Sequence, residues 1–318
     1  MAGIPLRLDA VLAKKETTYR TDAVPVAGTD GVRLAERLWP SLTVDYAWEN
    51  LLEDVATGTI LPAKPALPRG RRVTLDIPWL PRGAGVDAPV EASPLLQACG
   101  LTETDGVSLF DYDPASQLHS SATIYAYAAG HLFKAVGCRG SFRITFQAGQ
   151  IVVMRFRMQG FLGAEPAPAA VPTTTYDATE PVASVGLSAT VGSWTPELVS
   201  GEFDAGATVE QQDDSNDTDG IKAFEIGLAR PTLTLVTRVP RNASGIWDQA
   251  TFDPWADVKA CTARAINITW GSAQFARLKL IVAATDGVLQ SAPAPEAAAE
   301  FSAWRLVYRL LNYKLRTD

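Results

Sequence analysis

Asp111, Asp113, His119, Ser120 and Ser121 are the nearest this sequence comes to a catalytic set. Acid, base and nucleophile types are all present, and a Ser/His/Asp relay can be drawn through them. The spacing is merely local, however, and no Gly-x-Ser-x-Gly elbow presents the serine. The other histidine, His131, follows Gly130 at an expected hairpin turn. Both histidines read as polar loop residues. No phosphate loop, dinucleotide fingerprint, His-Glu-x-x-His or Cys-x-x-Cys pair occurs. The expectation is a protein that is not an enzyme and carries no cofactor.

Two charged clusters remain. Asp213, Asp214, Asp217 and Asp219 crowd the run 211–220, which reads as an exposed loop, solvated or facing a partner. Aligned on Gly220 as a calcium loop, it places Ser215 at the first ligand and Ile226 at the bidentate acid position, so the two strongest anchors are missing and no metal is expected. Arg139, Arg143, Arg155 and Arg157 form the basic cluster. One reading is an outward strand face paired with acids on a neighbouring strand; the other is a positive seam between subunits. Pattern alone leaves both open. Arg143, Arg155, Arg157 and the four aspartates are therefore the candidate contacts. The Asn-x-Ser/Thr matches at Asn216, Asn242 and Asn267 read as chance.

The elements that must position these residues are mostly strands. Val73, Leu75, Ile77 and Trp79 alternate with Arg72, Thr74 and Asp76, and Met154, Phe156 and Met158 alternate with Arg155 and Arg157. Residues 121–127 and 277–281 read as further strands, and 301–310 as a strand or a short helix. A helix is expected at 93–98, with Ser93 as cap, Pro94 in the first turn and Gly100 as its end. A second is expected at 254–261 behind Asp253. Residues 163–174, rich in Ala, Pro and Thr, read as a linker, and 291–300 as a loop. Two excursions, 44–70 and 201–220, are long enough to reach a neighbour along an assembly axis.

Composition supports a folded chain of 318 residues, 47% apolar and 20% charged, with 24 glycines and 21 prolines favouring turns over long helices. No apolar run approaches a membrane span, so no membrane insertion is expected. The first seven residues lack the basic-then-apolar order of a signal peptide. Cys99, Cys138 and Cys261 are odd in number and far apart, as free thiols would be. The net charge is −7 and concentrated late: residues 1–165 hold sixteen basic against seventeen acidic side chains, the remainder twelve against eighteen. That argues against a tight nucleic-acid binder.

Parts of the chain echo one another. Residues 72–77 (Arg-Val-Thr-Leu-Asp-Ile) match 230–235 (Arg-Pro-Thr-Leu-Thr-Leu), and 80–85 (Leu-Pro-Arg-Gly-Ala-Gly) match 239–245 (Val-Pro-Arg-Asn-Ala-Ser-Gly). Residues 94–99 have a looser partner in 254–261, and 143–150 (Arg-Ile-Thr-Phe) in 267–274 (Asn-Ile-Thr-Trp). Four matches in one order point to a duplicated unit, the second copy lacking about 38 residues between Cys99 and Ile144. The expected division is 1–165, a linker at 166–174, and 175–318.

The ordered segments resemble the major tail tube proteins of long, non-contractile-tailed bacteriophages. Those carrying the resemblance are 13–25 (Ala-Lys-Lys-Glu-Thr-Thr-Tyr-Arg-Thr-Asp-Ala-Val-Pro), the 72–77 strand, the Gly-Ala-Gly turn at 83–85, and Ala-Pro at 88–89 leading into 94–101. Then follow 121–125 (Ser-Ala-Thr-Ile-Tyr), 137–140 (Gly-Cys-Arg-Gly) and 148–156 with Gly160. The match is best over 13–165 and thinner beyond 175. The resemblance implies a mainly β protein: two tandem tail-tube-like β-sandwich or barrel domains, each with one short helix and long loops. It further implies a virion structural protein made in the bacterial host cytoplasm, whose subunits stack as rings into a tail tube. Its partners would be its own copies, in trimeric or hexameric rings, with tail tip and tail terminator proteins and a tape measure protein in the lumen. Double-stranded DNA would pass through without being gripped, and the seven charged candidates would face a neighbour or the lumen. The rival is a two-domain β-sandwich binding module for carbohydrate or adhesion, weakened because Trp79, Trp194, Trp247, Trp255 and Trp270 lie in different elements.

Overall fold

The computed structural model describes residues 9–36, 38, 41–49, 67–84, 88–106, 109–176, 179–271, 280–298 and 301–317, with backbone alone at 46–49 and 67–69. Strands β1 (Ala10–Lys15), β2 (Gly31–Val32), β3 (Leu42–Glu49) and β4 (Leu67–Trp79) precede helix α1 (Ser93–Ala98). A hairpin, β5 (Leu101–Asp105) and β6 (Phe110–Pro114), leads to a meander of β7 (Ala122–Ala128), β8 (His131–Gln147) and β9 (Val153–Pro168). Next come β10 (Ser188–Val191), β11 (Leu198–Asp204), β12 (Ala207–Asp213), β13 (Ile221–Ala229) and β14 (Thr232–Arg238). Helix α2 (Pro254–Ala260), β15 (Ala263–Trp270), β16 (Leu280–Leu289), β17 (Ala294–Ala298), β18 (Phe301–Leu310) and β19 (Lys314–Thr317) complete the chain. It is mainly β, and none of its described helices is long and apolar enough to cross a membrane.

Strand order repeats. β1–β7–β8–β9–β4–β3 are hydrogen-bonded neighbours in that order, all antiparallel. β10–β15–β16–β18–β14–β11 follow the same order, also antiparallel. In each array the helix follows the strand that carries the echoed sequence, β4 or β14. Period-two burial explains these strands: Val73, Leu75, Ile77 and Trp79 are fully buried, as are Leu233 and Leu235.

The two arrays are not separate bodies. β11 pairs with β14 on one side and with β8 on the other, Ser200–Asp204 lying against Gln147–Arg143. β19 pairs with β16 and also with β6, so the last strand reaches back to the early hairpin. One continuous cluster of buried apolar side chains, running from Val11 to Leu315, is the result.

Several sequence expectations need correction. Asp253 caps α2 through Ala256 N, but Ala92 occupies the N-cap of α1; Ser93 lies inside that helix and its hydroxyl donates to the Glu103 carboxylate. The presumed linker starts too early, because β9 stays paired with β8 out to Pro168. Residues 294–298 form a strand, β17, despite Pro295, which the position tolerates because it is an edge. Asn-Ile-Thr-Trp at 267–270 lies on β15, which takes the place of β7 and not of β8; residues 272–274 of that echo lie outside the described residues. The piece without a counterpart is accordingly the β5–β6 hairpin and not a stretch reaching Ile144. Residues 301–310 are a strand. Part of the first excursion, 50–66, lies outside the described residues.

Candidate assembly surfaces

Three arginines of the basic cluster, Arg143, Arg155 and Arg157, sit on the outward face where β11 joins β8, and Arg139 does not join them. Asp204 stands directly opposite Arg143 in the strand register, and Arg143 opposite Arg155. Two like charges side by side would repel, and acids on the flanking segments relieve this. Arg143 meets Asp204 at 3.1 Å and Glu202 at 3.4 Å, while Arg155 meets Glu36 at 2.6 Å. Arg157 stands opposite Asp76 across β9 and β4, and the three arginines line one shallow cavity with Asp76 and Asp204. Arg143 and Arg155 are therefore paired within their own chain. Beneath them Phe203 of β11 is fully buried against Phe142 of β8 and Tyr313, at ring separations of 5.8 and 5.1 Å.

The aspartates belong to a different feature. β12 and β13 form a hairpin arm that prolongs β11 and β14, bent at Gly206, whose φ of +60° suits glycine. The arm does not stand free; it folds back across the first array. Ile221 and Phe224 bury against Val136 and Phe161, with Tyr19 and Val209 packed around them. At its tip Asp217 and Asp219 both bind the Arg20 guanidinium, which lies 3.9 Å over the Phe161 ring, and Asp219 also approaches Arg71 at 3.7 Å. Asp214 accepts from the Asn216 amide in a turn, and Asp213 accepts from Gln211. Asp217 and Asp219 are thus partners of arginines, and no cluster suited to a metal ion occurs among the described residues.

Three residues hold the arm, and of these the sequence pointed only to Arg139, as a member of the basic cluster. Arg139, only 7% exposed, donates to the carbonyls of Phe224 and His119, ion-pairs with Glu225 and stacks over Tyr19. Tyr19 Oη accepts from Phe224 N at 2.8 Å. Buried Glu16 accepts from Arg20 N, Ser121 Oγ, Thr123 Oγ1 and Gly137 N. The segment 13–25, quoted above only for its resemblance, is thus a clamp for the arm. A carboxylate three residues before a tyrosine–arginine pair was the available signal.

Replacing Arg20 with alanine is expected to free the tip, at a cost of roughly 1–2 kcal/mol for charge-assisted bonds open to some solvent. Limited trypsin cleavage at Lys222 should rise severalfold; unchanged cleavage would show that the apolar contacts suffice. The backbone amide of Asp219, and then Arg20, hold the Asp217 carboxyl below its ordinary range. The share of this depression owed to Arg20 stabilises the docked arm fully above about pH 4 and is lost as pH falls through the lowered value. Acid should therefore release the tip in the parent protein and make little difference in the Arg20 variant.

The other candidates do not converge. His119 contacts the Ala115 carbonyl at 2.9 Å, and Asp111 and Asp113 pair with Lys314, so no Ser/His/Asp relay is formed. His131 contacts the Ala129 carbonyl. Cys99 and Cys138 are buried, which pushes both thiols up, and Cys261 is exposed. The tryptophans are less scattered than their sequence positions imply. Trp247, Trp255 and Trp304 meet edge to face within 5.8 Å, beside a stacked Trp194–Phe252 pair. They fill one another's space and do not form a flat row.

This arrangement defines a class: a mainly β protein with open outer strands and no convergent catalytic set among its described residues. A family model described as phage tail tube protein matches residues 8–303. The chain belongs to that family and is a structural protein of the phage virion tail. A search of curated proteins found no match.

Proposed function

We propose that this chain polymerises into stacked rings that form the tail tube, the conduit for genome delivery. Family membership and the repeated strand order carry the reading. Each array, residues 1–165 and 175–318 with the change-over after Pro168, acts as one tail-tube-like unit. Three chains then close a ring of six similar units, and a hexamer with the second unit outside is the competing arrangement. Tail tip and terminator proteins close the tube's ends, a tape measure protein occupies the lumen before DNA, and double-stranded DNA passes transiently. An acidic chain, −7 overall, suits a passage in which DNA slides without being held.

Electron microscopy of the concentrated protein tests this. Tubes with three chains per ring and both units lining the lumen are expected. Six chains with only residues 1–165 inside would reject the ring model, and a persistent monomer would reject polymerisation itself.

A further inference from the structure

The junction between the arrays has two parts, and each has an open counterpart at the outer edge of an array. The first is the edge pairing of β11 with β8. Across β4 and β9, Pro78 faces Arg155, which faces Arg143; across β14 and β18, Val236 faces Arg305, which faces Ala294 of β17. Ala294 is thus the counterpart of Arg143. By the 72–77 and 230–235 echo, Thr74 is the counterpart of Thr232; their partners, Thr43 of β3 and Asp204 of β11, correspond too. Among the described residues, β3 pairs only with β4 and β17 only with β18.

The second part is the apolar cap. Phe161 is covered by the arm, whereas its counterpart in the second array, Leu311, is 66% exposed.

We infer that a second copy of this chain completes this edge and lies over Leu311, its β3 adding antiparallel to β17 with Thr43 opposite Ala294. This rests on the tube reading and adds the register of its seam. An unpartnered edge strand is a template for such addition, and here the chain's own junction supplies the alignment.

Cysteines at Thr43→Cys and Ala294→Cys, in a Cys261→Ser background that removes the exposed thiol, test the register. Directly opposed residues stand about 4.5–5.5 Å apart, within disulfide reach. Mild oxidation of assembled protein should convert most of it to covalent oligomers. The pair Thr43→Cys with Ala298→Cys, displaced by roughly 13 Å at about 3.3 Å per residue, should give none. In the unsubstituted chain, amide exchange at 42–45 and 294–298 should slow on assembly. Tubes without the first cross-link and without that protection would overturn the seam and leave the tube reading standing. A protein monomeric at every concentration would overturn both.

Discussion

Replacing Phe203 with alanine is expected to lower stability by about 3–5 kcal/mol, as removal of a fully buried aromatic does. The more informative outcome is the shape of the transition. Phe203 belongs to the second array yet packs against Phe142 of the first and against Tyr313 beside the last strand. With one core cluster spanning both arrays, the whole chain should melt in one step, and the variant should shift that step as a unit. Calorimetry decides the matter. Two transitions in the parent, only one of which moves, would mean that the arrays fold independently despite their shared sheet.

Glu16→Ala should be comparably severe. Its carboxylate, 6% exposed, is the acceptor for two backbone amides and two hydroxyls at 2.6–2.9 Å. Removing it strands those donors, with a penalty on the order of 3 kcal/mol. Glu16→Gln keeps the shape but turns one end into a donor facing donors, so it should recover only part of the loss. Urea denaturation measures both. A glutamine variant as stable as the parent would show that the donors find water without difficulty, and that Glu16 is not the clamp's anchor.

The sequence revealed what depends on local period. Alternation identified β4 and β9, the echo of 72–77 pointed to β14, and Asp253–Pro254 marked the start of α2, because burial and capping leave a one-dimensional trace. What depends on the third dimension stayed hidden. Nothing local told that β11 would bond to β8, since a strand's two edges carry the same residues. The Asp-rich run looked solvent-bound because charge is costly to bury, and the arginines that offset this cost, Arg20 and Arg71, lie far away in the chain. Pro295 masked β17, an edge strand that spares a proline its missing amide. The tryptophan nest was invisible for a similar reason: its members come from four separate segments.

The β8–β11 bond has a kinetic consequence. It makes one seam between similar arrays intramolecular, with the neighbour held at a high effective concentration and no translational freedom left to lose. If six arrays close a ring, only three bodies must meet instead of six. The rate of forming the first ring then depends on a lower power of protein concentration, so nucleation can proceed while the protein is still scarce.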